Sequence, residues 1–310
     1  MLNRTQRHSR QFTESLAPRR WLAYVLIALL YAAAGIVGWL TNLLTVRLGV
    51  LPASLLGDIA ATLVVWLAGV LCGNSSVYDP YWSVAPVVLM ACWLGKTPSL
   101  IAILLMAVIA LWGVRLTTNW AIRWRGIHHQ DWRYEMLRDQ MPRLWFLINL
   151  AGINLMPTTL VFLAMIPAYL AATQAAAHSL LSYLGIGVCV AAVAIELISD
   201  AQMERYKKDP ARGTFIQTGL WNYSRHPNYF GEVLFWWGIW LAQAGCVPGR
   251  LGTILAPLLM TALFLFVSIP MMERHILQTR PEYGAYRRQV SVLIPLPRRK
   301  PQGSRQAANG

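Results

Sequence analysis

The sequence predicts an all-helical protein, a polytopic bundle that crosses a membrane about eight times. The 310 residues are 56% hydrophobic and only 13% charged, whereas a soluble domain is usually about a quarter charged. Several apolar runs approach or exceed the roughly 20 residues that a helix needs to cross a bilayer. Lys and Arg also cluster in the segments between alternate apolar runs. Together these features indicate an integral membrane protein.

The apolar runs place the helices in order. The first run, 21–46, is too long for the core of a signal peptide and lacks a small-residue cleavage pattern, so we expect it to be retained. The basic tail before it, 1–20, and the basic end of the chain, 298–310, are expected to be disordered. The other predicted spans are 55–72, 81–95, 99–121, 144–171, 180–203, 229–246 and 251–272.

The charges predict the orientation of these eight spans. If the N-terminus is cytoplasmic, only Arg47, Lys96 and Arg250 among the basic residues lie outside, and Arg115 lies within a span. This asymmetry is what the positive-inside rule predicts, whereas seven spans would put a basic block on the wrong side. The net charge of +14 therefore reflects membrane topology rather than binding to nucleic acid. Both termini are predicted to be cytoplasmic.

One polar stretch, 219–232, lies between a basic loop and an apolar helix. It reads Gly-Leu-Trp-Asn-Tyr-Ser-Arg-His-Pro-Asn-Tyr-Phe-Gly-Glu. Pro227 suits the first turn of a helix, and Arg225 and His226 beside a helix N-terminus would suit a phosphate-bearing ligand. Basic and aromatic residues can also simply anchor a helix at the headgroup level. That alternative leaves Glu232 unexplained, because an acid inside an apolar helix is costly.

Polar residues on other predicted spans fall at the same cytoplasmic depth. Three pairs spaced i, i+4 lie there: Arg115 with Asn119, Glu196 with Asp200, and Asn228 with Glu232. Isolated polar residues in membrane helices usually hold helices together, but three pairs at one depth predict a polar cavity open to the cytoplasm. A polar, aromatic patch, 73–86, contains Asp79. It is either an interfacial loop or part of a functional site.

Several common kinds of site have no signature in the sequence. The four cysteines stand alone on apolar segments, so neither a metal site nor a disulfide framework is indicated. No GxGxxG fingerprint, P-loop, nucleophile elbow or catalytic triad motif is present. A small transporter should show internal symmetry, and none is visible. A charged cofactor with a lipid-soluble substrate fits better, for transfer of hydride from a nicotinamide or of methyl from S-adenosylmethionine.

The stretch 219–232, with Ser199-Asp200 upstream and a Tyr-x-x-Tyr…Leu-Ile-Pro ending, resembles the steroid 5-alpha-reductase family. It is closest to a bacterial branch known only as a domain of unknown function, which the Ser-x-Tyr-Asp-Pro-Tyr-Trp-Ser-x-x-Pro patch at 76–86 also resembles. The resemblance covers 55–297 and leaves 21–46 as an addition to the seven helices of the steroid enzymes. Isoprenylcysteine methyltransferases share the Arg-His-Pro-x-Tyr core. They usually carry a small residue at the position of Asn228, so this Asn favours a reductase.

The resemblance implies NADPH-dependent reduction of a carbon–carbon double bond conjugated to a ketone, as in a 3-oxo-4-ene steroid. Hydride goes to the beta carbon, and an acid and a tyrosine serve the ketone oxygen. By position Asp79 is the acid. The family's tyrosine position holds Trp112, so Tyr78 or Tyr81 is expected to replace it, and Trp82 and Trp112 are expected to contact substrate. The alternative is an S-adenosylmethionine-dependent lipid or isoprenylcysteine-type methyltransferase.

The resemblance also implies which residues bind the cofactor. Those expected to bind NADPH are Arg115, Asn119, Glu196, Asp200, Lys207, Arg212, Tyr223, Arg225, His226, Asn228, Tyr229, Glu232, His275 and Tyr286. Carboxylates suit ribose hydroxyls and the carboxamide N–H, and cations suit phosphates. The expected partners are a hydrophobic small molecule from the bilayer and membrane lipid, without nucleic acid or metal. We expect a monomer in a bacterial inner membrane, the membrane being implied by the branch that the chain resembles.

Overall fold

The computed structural model describes residues 20–174 and 178–299. Their helices are, in chain order, α1 (Arg20–Thr45), α2 (Val50–Cys72), α3 (Tyr81–Trp93), α4 (Leu100–Arg123), α5 (Trp132–Gln140), α6 (Trp145–Gln174), α7 (Leu180–Lys208), α8 (Pro227–Cys246), α9 (Pro248–Thr279) and α10 (Tyr283–Gln289). No strand occurs in these ranges, so the prediction of an all-helical fold is confirmed. Of the tails predicted to be disordered, 1–20 and 298–310, the parts 1–19 and 300–310 lie outside the described residues. The prediction is wrong for Arg20, which begins α1, and for Arg298, whose guanidinium donates to Oε1 of Gln217 at 2.9 Å.

Six of the described helices are long and apolar enough to cross a membrane: Arg20–Leu48, Val50–Cys72, Leu100–Arg123, Trp145–Gln174, Leu180–Lys208 and Pro248–Thr279. They make the chain a helical integral membrane protein. Two predicted spans are not among the six. With 13 residues, α3 is only roughly 20 Å long, against a hydrocarbon core of about 30 Å. With 20 residues, α8 is long enough, but Asn228, Glu232 and Gln243 lower its hydropathy.

Two of the spanning helices widen just before a proline. In α6 the segment Ile148–Leu155 is π-helical and ends two residues before Pro157. In α9 the segment Phe264–Ser268 is π-helical and ends two residues before Pro270. The carbonyl four residues before each proline lies inside the widened segment, where it lacks its usual N–H donor. The α6 helix thus continues through Pro157 with a wide turn, and through Pro167 as an α-helix.

The described residues form two compact units. Unit 1 comprises 20–93 and 109–165, and unit 2 comprises 94–108, 166–174 and 178–299. The division therefore falls within α4 and within α6. Each unit contains a helix pair that is joined by close contact between backbones.

In unit 1, α1 packs against α2 at two glycines. A Cβ atom on Gly38 would lie 2.8 Å from the carbonyl oxygen of Gly57, and one on Gly57 would lie 2.6 Å from that of Gly38. Small residues allow this approach between membrane helices. Near the start of α1, the Tyr24 hydroxyl and the Arg20 guanidinium both donate to the carbonyl oxygen of Ala121, at 2.6 and 3.0 Å. The helix predicted as an addition to the core is therefore an integral part of unit 1.

In unit 2, α7 and α8 pack along a row of glycines that we call the glycine seam. Gly231, Gly238 and Gly245 are spaced seven residues apart, which returns to one helix face after two turns. A Cβ atom on Gly238 would lie 2.6 Å from Sγ of Cys189, and one on Gly245 would lie 2.3 Å from the backbone nitrogen of Ser182. The two helices therefore touch at backbone distance along the seam.

We expect Gly185→Ala, on the α7 side of the glycine seam, to destabilise the protein by about 3 kcal/mol. A Cβ atom there would lie 2.2 Å from the backbone nitrogen of Ala242, so backbone rather than a flexible side chain must move. Gly187 has no atom within 4 Å of the same position, and Gly187→Ala should be neutral or stabilising by about 0.5–1 kcal/mol. The measurement is thermal unfolding of detergent-purified protein. Equal unfolding midpoints for the two variants would contradict close backbone contact along the glycine seam.

Candidate active site

The loop between α2 and α3 carries Asp79 and is bonded to the segment that precedes α5. The side-chain oxygen of Asn74 accepts from the backbone N–H of Ser76 at 2.8 Å, and the Asn74 amide donates to the carbonyl oxygen of Ile127 at 2.6 Å. The hydroxyl of Ser76 accepts from the backbone N–H of Asp131 at 2.8 Å. These bonds fix the loop, and with it the backbone that positions Asp79.

Asp79 has a tyrosine partner on α5. The hydroxyl of Tyr134 donates to Oδ1 of Asp79 at 2.5 Å. Its neighbour Arg133 bonds through Nε to Oδ1 of Asp131 at 2.8 Å, and Asp131 also caps the start of α5. The sequence offers one sign of this helix, since Asp131 at the N-cap with Glu135 in the first turn is a typical helix start. It offers no local sign that Tyr134 reaches Asp79.

The carboxyl group of Asp79 ionises close to neutral pH. Burial raises the pKa of Asp79 from 3.8 to about 6, although the charge of Arg133 and the hydrogen bond from Tyr134 favour the carboxylate. Burial also raises the pKa of Tyr134 well above its usual range, so that its hydroxyl keeps its proton and remains a donor. A carboxyl group that titrates near neutrality can exchange a proton with a bound ligand.

Tyr78 and Tyr81, the tyrosines expected to serve the ketone, have other partners. The hydroxyl of Tyr78 lies 2.8 Å from Oγ1 of Thr158, and the hydroxyl of Tyr81 donates to Oδ1 of Asp58 at 2.6 Å. Their rings stack with centroids 5.3 Å apart. The structure thus directs both hydroxyls to α6 and α2, and the tyrosine that bonds the expected acid is a different one. A role for either ring at the substrate stays a prediction.

The residues expected on α4 share one face of that helix in unit 1. Trp112 is completely buried, whereas Arg115 and Asn119 are partly exposed. Their spacing of three and four residues places the three side chains on adjacent turns of one face. Trp82, the other residue expected to contact substrate, is partly exposed in the first turn of α3. Arg115 and Asn119, the predicted i, i+4 pair, therefore lie one turn apart on the same face of α4.

In unit 2, a buried carboxylate on α9 joins the start of α8 to α10. Oε1 of Glu273 lies 3.2 Å from Nε of Arg225 and 3.1 Å from Nε2 of His226. Oε2 of Glu273 lies 3.0 Å from Nε of Arg287 on α10. Burial lowers the pKa of His226, against the opposing effect of Glu273, so the ring is largely neutral at pH 7. We call this group of four residues the Glu273 cluster.

The Glu273 cluster differs from the expected use of Arg225 and His226 as phosphate ligands. The charge of Arg225 is compensated by Glu273, and the Arg225 side chain is only 9% exposed. An incoming phosphate would have to displace a buried carboxylate from a buried cation, which is costly. The structure therefore uses these two residues to hold the start of α8 against α9. Their contact with a cofactor stays a prediction.

The segment after α10 bonds to the same stretch. The hydroxyl of Tyr286 donates to the carbonyl oxygen of Trp221 at 2.5 Å. The hydroxyl of Ser224 donates to the carbonyl oxygen of Leu293 at 2.7 Å. Tyr286, which was expected at the cofactor, is thus buried in a structural contact, whereas Tyr223 beside it is exposed.

Three acids lie on the α7–α8 pair near the start of α8. Glu196 is completely buried, and Gly231 makes room for it, since a Cβ atom on Gly231 would lie 2.4 Å from Cγ of Glu196. Oε1 of Glu232 accepts from the indole N–H of Trp236 at 3.0 Å. Asp200, one turn beyond Glu196, is partly exposed. The contact at Gly231 thus brings the three acids together on one packed helix pair.

The remaining residues expected at the cofactor also lie in unit 2. Those that are partly exposed are Asn228, Tyr229 and His275. The ring of Tyr229 stacks on that of His226 with centroids 5.4 Å apart. Lys207 and Arg212 are exposed at the end of α7 and in the loop after it, where Nζ of Lys207 lies 3.3 Å from Oε1 of Glu204. An exposed ion pair of this kind is weak, so an anionic ligand can replace Glu204.

We expect Glu273→Ala to destabilise the protein by roughly 3–5 kcal/mol, because it leaves Arg225 buried without its counter-charge. Glu135→Ala, which removes an exposed acid on α5, is the matched control and should leave the unfolding midpoint unchanged. Thermal unfolding in detergent measures both. If Glu273→Ala unfolded at the temperature of the unmodified protein, the Glu273 cluster would not be what holds the start of α8.

Comparison with known proteins places the chain in a family. A family model described as a protein of unknown function, DUF1295, matches residues 65–290. No curated protein and no solved structure matches the chain. The matched range begins inside α2 and ends just after α10, so it contains Asp79, Tyr134, the glycine seam and the Glu273 cluster. Because this range is well over half of the 310 residues, the chain belongs to the DUF1295 family.

Proposed function

We propose that the chain reduces a carbon–carbon double bond conjugated to a ketone in a hydrophobic lipid, such as a 3-oxo-4-ene steroid. The observation that carries this proposal is the hydrogen bond of 2.5 Å from Tyr134 to Asp79. A half-buried carboxyl group that titrates near neutral pH beside a tyrosine is the acid that such a reaction needs at the ketone oxygen. The cofactor, NADPH, would supply the hydride that goes to the beta carbon.

Asp79 is the proposed proton donor. Negative charge develops on the ketone oxygen as the beta carbon is reduced, and stabilising that charge is usually the largest catalytic effect. The protonated carboxyl group of Asp79 donates a hydrogen bond to this oxygen and then transfers its proton, which gives an enol that tautomerises to the saturated ketone. Tyr134 is a positioning residue, because its bond to Oδ1 fixes the direction of the carboxyl group.

Unit 2 offers side chains of the right chemistry for a dinucleotide phosphate. The carboxyl groups of Asp200 and Glu232 suit ribose hydroxyls and the carboxamide N–H. Lys207 and Arg212, exposed after α7, suit the phosphates, including the additional 2′-phosphate that requires extra cations. Arg225 is the weaker choice for a phosphate, since its charge is already compensated. The donor set fits the cofactor on these grounds.

Further expectations accompany the proposal. The resemblance to steroid 5-alpha-reductases implies that Arg115 and Asn119 bind the cofactor, and this stays a prediction. Counting α3 and α8 with the six longer helices gives eight spans, which puts both termini in the cytoplasm by the positive-inside rule. The proposed location is a bacterial inner membrane, where the lipid substrate enters from the bilayer and the protein acts as a monomer.

We expect Asp79→Asn to lower kcat/KM at least about 100-fold, because an amide cannot give up the proton. Tyr134→Phe keeps the acid but removes the hydrogen bond that orients it, and should lower kcat/KM about tenfold. The assay follows the loss of NADPH absorbance with a 3-oxo-4-ene steroid. Tyr183→Phe, which makes the same change at an exposed ring on α7, is the control. Full turnover by Asp79→Asn would remove Asp79 from the reaction.

The same assay, repeated across pH, distinguishes the proton donor, Asp79, from the positioning residue, Tyr134. The pKa of Asp79 lies at about 6, so the protonated fraction falls about tenfold for each pH unit above it. We expect kcat/KM to decline as pH rises through this value. In Tyr134→Phe the decline should move to higher pH, because the carboxylate loses a stabilising hydrogen bond. A profile that stays flat from about pH 5 to 8 would exclude the protonated carboxyl group as donor.

The unfolding temperature in the presence of each cofactor distinguishes a reductase from a methyltransferase. A ligand present at about 100 times its Kd stabilises a protein by roughly 2.7 kcal/mol. We expect NADPH to raise the unfolding temperature and S-adenosylmethionine to have no effect. Glu232→Gln should lose the NADPH shift but stay folded, since its amide oxygen can still accept from Trp236, whereas Glu135→Gln should keep the shift. A shift with S-adenosylmethionine alone would make the chain a methyltransferase.

A further inference from the structure

A cavity of about 150 Å³ lies in unit 1 between α1, α2 and α3. Its walls are mostly small and apolar, with Ala34, Gly35, Ala61, Ala85 and Leu89 among them. Neither Asp79 nor Tyr134 is part of the lining. The cavity is therefore separate from the residues that we assign to the reduction.

Packed backbone and a hydrogen-bonded group give this cavity fixed walls. The Asn42 amide donates to Oγ of Ser54 at 3.3 Å, and the indole N–H of Trp93 donates to the same oxygen at 3.0 Å. Gly38 and Gly57, which also line the cavity, hold α1 against α2 at backbone distance. The space thus lies between helices that are fixed relative to each other.

The cavity opens toward lipid. Trp39, Val88 and Cys92 line it and are also exposed, Trp39 by 60% and Val88 by 51%. Trp39 belongs to one of the six helices that are long enough to cross a membrane. Exposed apolar side chains on such helices face hydrocarbon. A ligand would therefore enter this cavity from the bilayer.

One carboxyl group interrupts the apolar lining. Asp58 is 8% exposed, and its Oδ1 accepts from the hydroxyl of Tyr81 at 2.6 Å. An acid inside a spanning helix is costly and is usually kept for a function. The hydroxyl of Tyr81 supplies one hydrogen bond, and a carboxyl group has the capacity for several. Asp58 precedes residue 65, where the match to the family begins, so the family assignment does not bear on this acid.

Size and chemistry together select the ligand. A dry apolar cavity of this volume holds a molecule of about the size of benzene, or the end of a longer chain that continues into lipid. A hydroxyl group bonds a carboxyl group in either protonation state, because it both donates and accepts, whereas a ketone only accepts. We propose that the cavity binds a membrane-soluble alcohol, whose hydroxyl group bonds Asp58 and whose apolar part fills the space beside Gly35.

The test is photolabelling of the full-length protein with an octanol that carries a diazirine, with adducts located by mass spectrometry. We expect adducts on Tyr31, Trp39 or Asp58, which unlabelled octanol suppresses by competition. Gly35→Leu should reduce these adducts at least about tenfold, because its side chain occupies the apolar space. A Cβ atom on Gly35 has no neighbour within 4 Å, so the fold should persist. Gly187→Leu makes the same change at an equally open position on α7 and should keep full labelling.

Two further comparisons separate an alcohol site from a lipid-filled groove. Asp58→Leu removes every polar atom of that side chain and should weaken the competition by octanol about fivefold, the effect of one lost hydrogen bond of moderate strength. A diazirine-bearing octane without the hydroxyl group should label the cavity correspondingly less. Val88→Trp blocks the exposed mouth and provides a second variant if Gly35→Leu is poorly folded. Equal labelling by the two probes, or full labelling in both blocked variants, would overturn the proposal.

Discussion

Close contact between helix backbones is the constraint on which both units depend. In lipid, apolar side chains gain little by leaving the hydrocarbon tails, so helices associate through tight packing at small residues and through buried hydrogen bonds. Unit 1 meets this constraint where Gly38 lies against Gly57. Unit 2 meets it along Gly231, Gly238 and Gly245. Each contact fixes one helix pair, and the acids on that pair are thereby shielded from lipid by a neighbouring helix.

The buried acids of the two units have different kinds of partner. Asp58 and Asp79 in unit 1 each accept from a tyrosine hydroxyl, which is a neutral donor. Glu273 in unit 2 lies between the guanidinium groups of Arg225 and Arg287. A tyrosine orients a carboxyl group without cancelling its charge, which leaves the group available to a ligand. Two guanidinium groups occupy both carboxylate oxygens, and the result is a structural tie.

The sequence predicts the spanning helices well and the partners of the polar residues poorly. Burial in lipid depends on local composition, so apolar runs locate every long helix, with ends that differ from the observed ones by up to seven residues. The partner of a polar residue depends on contacts between distant parts of the chain. Tyr134 is 55 positions from Asp79, and Glu273 is 47 positions from His226. The prediction therefore chose Tyr78 or Tyr81, which are close to Asp79 in sequence, although α5 brings the more distant Tyr134 to the acid.

The segment after α10 runs along the stretch that contains Arg225. The backbone N–H of Arg225 donates to the carbonyl oxygen of Ser291 at 2.9 Å, and that of Leu296 donates to the carbonyl oxygen of Tyr223 at 3.0 Å. The ribosome makes this segment after α9. The stretch that contains Arg225 can therefore form these hydrogen bonds only after the last spanning helix has been made. A nascent chain that stops within α9 would present an open, basic loop at the membrane surface.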